Sequence, residues 1–404
     1  MERSISKQLE VIKRGVVEIF PEDELVRKLE RSIARNKPLR IKQGFDPSAP
    51  DIHLGHTVGL RKLRQFQDLG HMVVLIIGDY TAMVGDPSGR SKTRPQLTHE
   101  QTSENAKTYV EQVKKVLSRD NLEVVYNGEW FGKFNLADIL KLTSKMTVAR
   151  MLERDDFATR FKDGSPIAVS EFLYPLMQGW DSVEIRSDVE LGATEQKFNL
   201  LVGRALQADA GQEEQVCLTL PILPGTDGVR RMGKSLGNYI GVSDAPNDMF
   251  GKVMSVPDSV MRTYFELLTD MPMDEINKLL SDKTHPRDAK AALAARLTAM
   301  YHGPEAAKAA AAEFDSVFRR GALPEDIPAV QLPADLVQSG TAPIIGLLRA
   351  LDLVATTSEA RRLISQGGVT VDGVKVTEIE ARVKVKNGMV VQVGKRKFAR
   401  VKMA

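Results

Sequence analysis

MVVLIIG (72–78) is an unbroken apolar run between polar neighbours. That pattern predicts a strand buried on both faces, as in a parallel sheet. Just before it, GHTVGLRKLRQFQDLG (55–70) brings Val58, Leu63 and Phe66 to roughly one side at helical spacing and stops at Gly70. LRIKQGF (39–45) reads as a further strand. Strand, helix and buried strand make a βαβ unit, the seed of a doubly wound sheet. PEDELVRKLERSIARN (21–36) predicts a helix with acids at its start and bases at its end. Thr98 and Gln101 form a capping-box pattern opening a helix over 98–117. LEVVYN (122–127), DVELGA (188–193) and VCLTLPIL (216–223) read as strands, residues 134–187 as mainly helical, and EQKFNLLVGRALQ (195–207) as a helix.

Beyond about residue 245 the pattern is helical only, and the stretch 288–321 is rich in alanine, the strongest helix former. LPEDIPAVQLPADLVQSGTAP (323–343) carries four prolines and reads as a linker. Two short helices and small strands follow, punctuated by VDG, KNG and GKRK turns. The expected organisation is an N-terminal helical segment (1–36) and a Rossmann-like α/β domain (37–245) with a helical insertion at about 128–187. An all-α domain (246–322), a linker (323–342) and a small α+β module (343–404) complete it.

Composition adds bounds. With 404 residues, 42% hydrophobic and 27% charged, the chain has ample length to bury a core. A single cysteine, Cys217, excludes an intramolecular disulfide and favours a reducing compartment. The first residues lack a signal-peptide core, and no window is apolar enough to span a bilayer, so a cytoplasmic protein is expected. The net charge of +3 hides an asymmetry, because residues 343–404 alone carry +7. A basic module on a mildly acidic body suggests a polyanionic partner.

Candidate chemistry lies at the strand ends. In FDPSAPDIHLGH (45–56), His53 and His56 flank Leu54 and Gly55 where the first strand gives way to a helix. A helix start at the carboxyl edge of a parallel sheet favours phosphate. A zinc site would need further ligands from only four other histidines and one cysteine, and no metal site is expected. In SEFLYPLMQGWDSVEI (170–185), Tyr174, Gln178 and Asp181 fall on one helical face, with Pro175 inside the helix as a possible kink. GDPSGRSKTRP (85–95) is a glycine- and proline-rich loop bearing Arg90, Lys92 and Arg94. GVRRMGKSLGN (228–238) satisfies the P-loop spacing through Gly228, Gly233, Lys234 and Ser235. A P-loop needs a helix directly after it, and Gly237, Asn238 and Gly241 are poor helix material.

FDPSAPDIHLGH resembles the H-I-G-H region of class I aminoacyl-tRNA synthetases. IIGDYTAMVGDPSGRSKTRP (76–95), YPLMQGWDS (174–182), ELGATEQKFNLL (190–201) and RMGKS (231–235) resemble, in order, motifs of bacterial-type tyrosyl-tRNA synthetases. The resemblance implies activation of L-tyrosine by ATP with Mg²⁺, then transfer to the 3′-terminal adenosine of tRNA(Tyr) by a homodimer. It implies that Asp86, Tyr174, Gln178, Asp181 and Gln196 bind the amino acid, with Asp181 receiving the phenol. It gives ATP to Gly44, Asp46, Gly55, Gly192, Glu195, Met232 and Lys234. It assigns phosphate contact during reaction to His53, His56, Arg90, Arg94, Arg231, Lys234 and Ser235. SEARRLISQGGVTVDGVKV (358–376) resembles an S4-type RNA-binding domain, with Arg361, Arg362, Lys375 and the KRK turn (395–397) as phosphate contacts.

The chain departs from the family pattern at several positions. Lys42 replaces a tyrosine common at the phenol site, and Trp180 replaces a tyrosine beside Asp181. GATEQ (192–196) gives the ribose role to the longer Glu195, and RMGKS has Arg231 and Gly233 for a lysine and a serine. Three other readings stay open on the sequence: a synthetase paralogue with shifted amino-acid specificity, a non-catalytic RNA-binding protein, and a P-loop NTPase or kinase.

Overall fold

The five predicted strands form close to their expected bounds, β2 (Arg40–Phe45), β3 (Met72–Ile77), β4 (Leu122–Tyr126), β5 (Val189–Ala193) and β6 (Val216–Leu220), and an unpredicted one, β1 (Glu18–Phe20), precedes them. The computed structural model describes residues 1–47, 52–88, 98–320, 327–333, 336–394 and 397–403. These form two compact units, Met1–His302 and Gly303–Ala404. In the first, β1–β6 make one sheet in the order β1-β6-β5-β2-β3-β4. Strands β2 to β6 are parallel, and Val73 through Ile77 are fully buried, as the unbroken run implies.

Two strand features differ from expectation. β6 stops at Leu220 because Pro221 has no N–H for the ladder. β1, inside the segment read as purely helical, pairs antiparallel with β6 at the sheet edge. At three residues it is too short for a periodicity to register.

The order reverses between β2 and β5: β3 and β4 follow on one side, β5 and β6 on the other. Such a switch point opens a crevice at the carboxyl ends of the strands. The Leu54–Asp68 helix leads from β2 to β3. The Leu173–Ile185 and Lys197–Asp209 helices flank β5 in sequence and pack closely. A Cβ on Gly179 would lie 3.0 Å from both Val202 and Leu206. Pro175 sits in the first turn of its helix, where N–H groups have no intrahelical partner, so it costs no bond. The capping box at Thr98 forms: its hydroxyl accepts from Gln101 N at 3.3 Å, and Gln101 Oε1 accepts from Thr98 N at 3.0 Å.

The helices from Pro246 to His302 group with the sheet, and the alanine-rich run breaks into Pro286–His302 and Pro304–Arg320 at Gly303, which has φ 87°. In the second unit, Val374–Lys375, Val369–Val371, Val390–Val393, Lys397–Lys402 and Ala329–Gln331 form a five-stranded sheet in that order. The helices Ile344–Ala350 and Thr357–Ser365 share its core through Leu347, Leu348, Ile364, Val391 and Val401. The proline-rich stretch is thus more than a linker. Ala329–Gln331 pairs with Arg400–Lys402, and Thr341–Pro343 pairs with Arg382–Lys384. The prolines hid these strands because each is short and lies at an edge, where proline is tolerated.

Candidate active site

A cleft of about 720 Å³ opens at the switch point. Gly44 and Asp46 line it from the end of β2, and Gly192 and Ala193 from the end of β5. At the end of β2 a strand position that carries no side chain leaves space, whereas a Cβ on Gly192 would lie 3.2 Å from Gln196 and Leu200. A Cβ on Gly44 would meet nothing within 4 Å. Of the residues expected in the site, His53, Gly55, His56, Asp86, Tyr174, Glu195, Gln196, Arg231, Met232, Lys234 and Ser235 also line this cleft. Gln178 and Asp181 are buried behind its wall instead. Arg90 and Arg94 lie outside the described residues, as does most of the KRK turn.

The two histidines cap the helix reciprocally. His53 Nδ1 accepts from Gly55 N at 3.2 Å, and His56 Nδ1 accepts from His53 N at 3.3 Å. Their rings stack with centroids 3.8 Å apart. An Nδ1 that accepts has no proton, so each neutral ring carries its hydrogen on Nε2. Burial, reinforced by His56 and Lys234, pulls His53 down to about 3, and burial with Lys234 pulls His56 down to about 4. Capping and chemistry are therefore one arrangement: it leaves two neutral Nε2–H donors at a helix start. Gly55 is required here, since a Cβ would lie 2.9 Å from the His53 ring.

Toward the Leu173–Ile185 helix the polar groups are paired in advance. Tyr174 donates to Asp46 Oδ2 at 2.9 Å, and Thr81 donates to Asp46 Oδ1 at 2.8 Å. Gln196 Nε2 donates to Asp86 Oδ2 at 2.8 Å, while Gln196 Oε1 accepts from Ala193 N at 3.0 Å. Asp181 accepts from Trp130 Nε1 at 3.0 Å and from Asn127 Nδ2 at 3.4 Å. Burial pushes the Asp181 carboxyl up to about 7, against the pull of the Lys42 ammonium and these two donors. Gln178 has both ends of its carboxamide engaged, giving to Glu190 at 3.0 Å and accepting from Asn199 at 2.9 Å.

Opposite the histidines, RMGKS is braced from below. Asn238 Oδ1 accepts from Gly233 N at 2.9 Å, and Asn238 Nδ2 donates to Asp227 at 2.9 Å and to Arg231 O at 3.1 Å. After Gly233 the chain makes one 3-10 turn, Lys234–Leu236, ending at Gly237 with φ 66°. A helix does not follow, so the P-loop geometry is absent. Arg231 approaches Glu195 at 4.0 Å, and the Lys234 ammonium lies 6.0 Å from the Tyr239 ring centre.

Sequence reasoning missed six residues. Tyr109 lines the cleft from the His99–Val113 helix, its hydroxyl buried and without a partner among the described residues. On the same helix, Asn105 donates to Pro47 O at 3.0 Å and Gln112 accepts from Ile52 N at 2.8 Å, holding both sides of the signature loop. Asn105, Tyr109 and Gln112 stand at i, i+4 and i+7, the polar-face spacing that singled out Tyr174, Gln178 and Asp181. The other missed groups are Asn127 and Trp130, the partners of Asp181, and Arg154, buried within 3.7 Å of Asp86. In the second unit Arg361, Arg362 and Lys375 are exposed.

Comparison with known proteins gives a consistent picture. The family model "tRNA synthetases class I (W and Y)" matches residues 34–319, and the S4 domain model matches residues 347–390. Tyrosine–tRNA ligase of Moorella thermoacetica is 53% identical over 99% of this chain and 97% of its own. The Carboxydothermus hydrogenoformans enzyme of the same name is 52% identical over 98% of both chains. Among solved structures, a truncated mitochondrial tyrosyl-tRNA synthetase of Aspergillus nidulans aligns with TM-score 0.66 at 24% identity, covering 78% of this chain and 95% of that one. The Archaeoglobus fulgidus tyrosyl-tRNA synthetase complexed with L-tyrosine aligns with TM-score 0.62 at 24% identity, covering 76% and 100%. At that identity the structural likeness speaks for the fold alone. The chain belongs to the class I tRNA synthetases of the tryptophan and tyrosine group and, by identity along nearly its whole length, to the tyrosine–tRNA ligases.

Proposed function

We propose that this chain activates L-tyrosine with ATP to tyrosyl-adenylate and pyrophosphate, then transfers tyrosine to the 3′-terminal adenosine of tRNA(Tyr). The observation that supports this most is the polarity of the cleft. Two neutral Nε2–H donors from His53 and His56, with Lys234 and Arg231, line one side. The pairs Asp46–Tyr174 and Asp86–Gln196 line the other. Cationic and neutral donors suit a triphosphate, and carboxylates suit an α-ammonium group.

The first step needs no general base, because the tyrosine carboxylate is already a nucleophile. It attacks the α-phosphorus in line and pyrophosphate leaves with the bonding electron pair. Catalysis is then positioning and stabilisation of charge on α- and β-phosphate oxygens. His53 and His56 donate without becoming charged, so their contribution does not depend on protonation near neutral pH. Lys234, Arg231 and Ser235 act from the opposite loop, with Met232 packed beneath it; Arg90 and Arg94 are assigned the leaving pyrophosphate. Gly44, Asp46, Gly55, Gly192 and Glu195 take the adenosine. Asp86, Tyr174 and Gln196 take the ammonium, with Gln178 behind them, and Asp181 takes the phenol. Among the described residues no cluster of three or more His, Cys, Asp or Glu converges to hold a metal. Mg²⁺ enters on the ATP phosphates, where it shields their charge.

In the second unit, Arg361, Arg362 and Lys375 bind tRNA phosphates. The protein works in the cytoplasm; no helix among the described residues is long and apolar enough to cross a membrane. A homodimer is the working form, supported by exposed apolar side chains on the helical insertion at Leu136, Leu140, Val148, Phe161 and Val169. Sedimentation should give twice the chain mass, and a monomer at micromolar concentration would contradict the dimer. The activity itself is tested by charging purified tRNA(Tyr) with labelled tyrosine. Tyrosine esterified to the tRNA 3′ end is expected; tRNA that binds but stays uncharged would support an RNA-binding protein instead.

A further inference from the structure

Lys42 and Glu190 are both fully buried, and they are register partners on the adjacent parallel strands β2 and β5. Their side chains therefore share one sheet face, the face on which Gly44 leaves the cleft open two residues beyond Lys42. The ammonium of Lys42 meets Glu190 Oε1 at 2.8 Å, Gln178 O at 2.6 Å and Ser182 Oγ at 2.7 Å, which uses all three of its N–H groups. Glu190 accepts from Gln178 Nε2 at 3.0 Å, from Ser182 Oγ at 3.1 Å, and from Gln215 Nε2. The Lys42 ammonium and both Glu190 oxygens are thus fully occupied within the protein. Its contacts run instead to one helix, Leu173–Ile185, gripping Gln178 by backbone and side chain and Ser182 by its hydroxyl. That helix carries Tyr174 one turn before Gln178, and Asp181 between Gln178 and Ser182.

We propose that Lys42 and Glu190 form a positioning pair that sets amino-acid specificity, by fixing the Leu173–Ile185 helix against the sheet so that Tyr174 meets the substrate ammonium and Asp181 its phenol at one fixed separation. A buried ion pair is a poor source of stability, since apolar side chains of equal volume often serve as well. What a charge pair with every N–H and oxygen engaged supplies is a single register. Gly44, two residues beyond Lys42, leaves space in the cleft, and the pair lies buried behind that space. Lys42, which replaces the tyrosine expected at this place, thus serves the pocket from behind rather than touching the phenol. This rests on the reading that Asp181 and its helix face the amino acid.

The test compares wild type, Lys42→Met, Glu190→Gln, and the double variant in ATP–pyrophosphate exchange, with thermal melting alongside. Each single change strands a buried charge and should lower Tm. The double change removes both charges and should recover much of that loss. It should nevertheless raise KM for tyrosine and lower the tyrosine-over-phenylalanine ratio by roughly 10- to 100-fold, since small misplacements cost that much. KM for ATP should stay nearly unchanged. A double variant with the wild-type tyrosine KM and selectivity, whatever its Tm, would overturn the proposal. So would equal rises in both KM values. Failure of the underlying reading would look different: wild type would not exchange with tyrosine, or Asp181→Ala would keep the wild-type ratio, and the proposal would fall with it.

Discussion

Single side chains here do two jobs at once. His53 and His56 satisfy helix-end N–H groups and, by doing so, fix their own tautomers. The motif was legible in the sequence; what only coordinates supply is that the same two rings cap the helix. Asp181 was legible by spacing, but its partners Asn127 and Trp130 come from a different segment and carry no pattern tying them to it. If Asp181 reads the phenol, Asp181→Ala should lower the tyrosine-over-phenylalanine ratio by roughly 5- to 150-fold, the worth of about 1–3 kcal/mol for one buried hydrogen bond. Binding of ATP should change far less, and an unchanged ratio would remove Asp181 from this role.

Buried imidazoles also shape the acid stability of the fold. His71, 0% exposed, hydrogen-bonds Leu39 N at 3.3 Å and Gln8 Oε1 at 2.8 Å, and burial pulls it down to about 4. Its ordinary value is 6.5. Between those values the unfolded chain binds the proton and the native one does not. Stability therefore falls as pH drops through that window and is complete above it. Asp181, raised by burial, acts in the opposite sense, so the prediction is a difference. The urea midpoint of wild type should fall more steeply from pH 6.5 to 4.5 than that of His71→Gln. Parallel curves would contradict it.

At the level of elements, a strand buried on both faces announces itself as an apolar run, as β3 does, while the half-buried β2 and β4 were legible as short stretches between helical patterns. β1 and the strand at Ala329–Gln331 were not, because three residues at an edge take their conformation from the neighbouring strand rather than from their own pattern. The RMGKS loop shows the same division. Its glycines argue against a P-loop helix from sequence, but its bracing by Asn238 is a tertiary fact. Asn238 holds Gly233 and Arg231, beside Lys234, which lines the cleft. Lys234→Ala should slow adenylate formation by roughly 100-fold, the usual worth of a donor aimed at developing charge. Tyrosine affinity should stay close to wild type, and equal loss of both would point to a damaged fold.

For the whole molecule, charge asymmetry was the most informative single number in the sequence. A +7 terminal stretch suggests a polyanionic partner for that end without any knowledge of its fold. The domain edges were harder, because the proline-rich stretch supplies strands to the second unit. Arg361→Ala with Arg362→Ala should raise KM for tRNA(Tyr) and flatten its salt dependence, since fewer counterions are released. Pyrophosphate exchange, which needs no tRNA, should be unaffected. Unchanged charging at every salt concentration would make this basic face merely solvated.

Amino-acid-dependent ATP–pyrophosphate exchange across a panel of amino acids bears most directly on the cleft as a tyrosine-activating site. Tyrosine should drive exchange well above every other amino acid, with phenylalanine far behind and tryptophan near background. Exchange driven by tryptophan, or none with tyrosine, would contradict it.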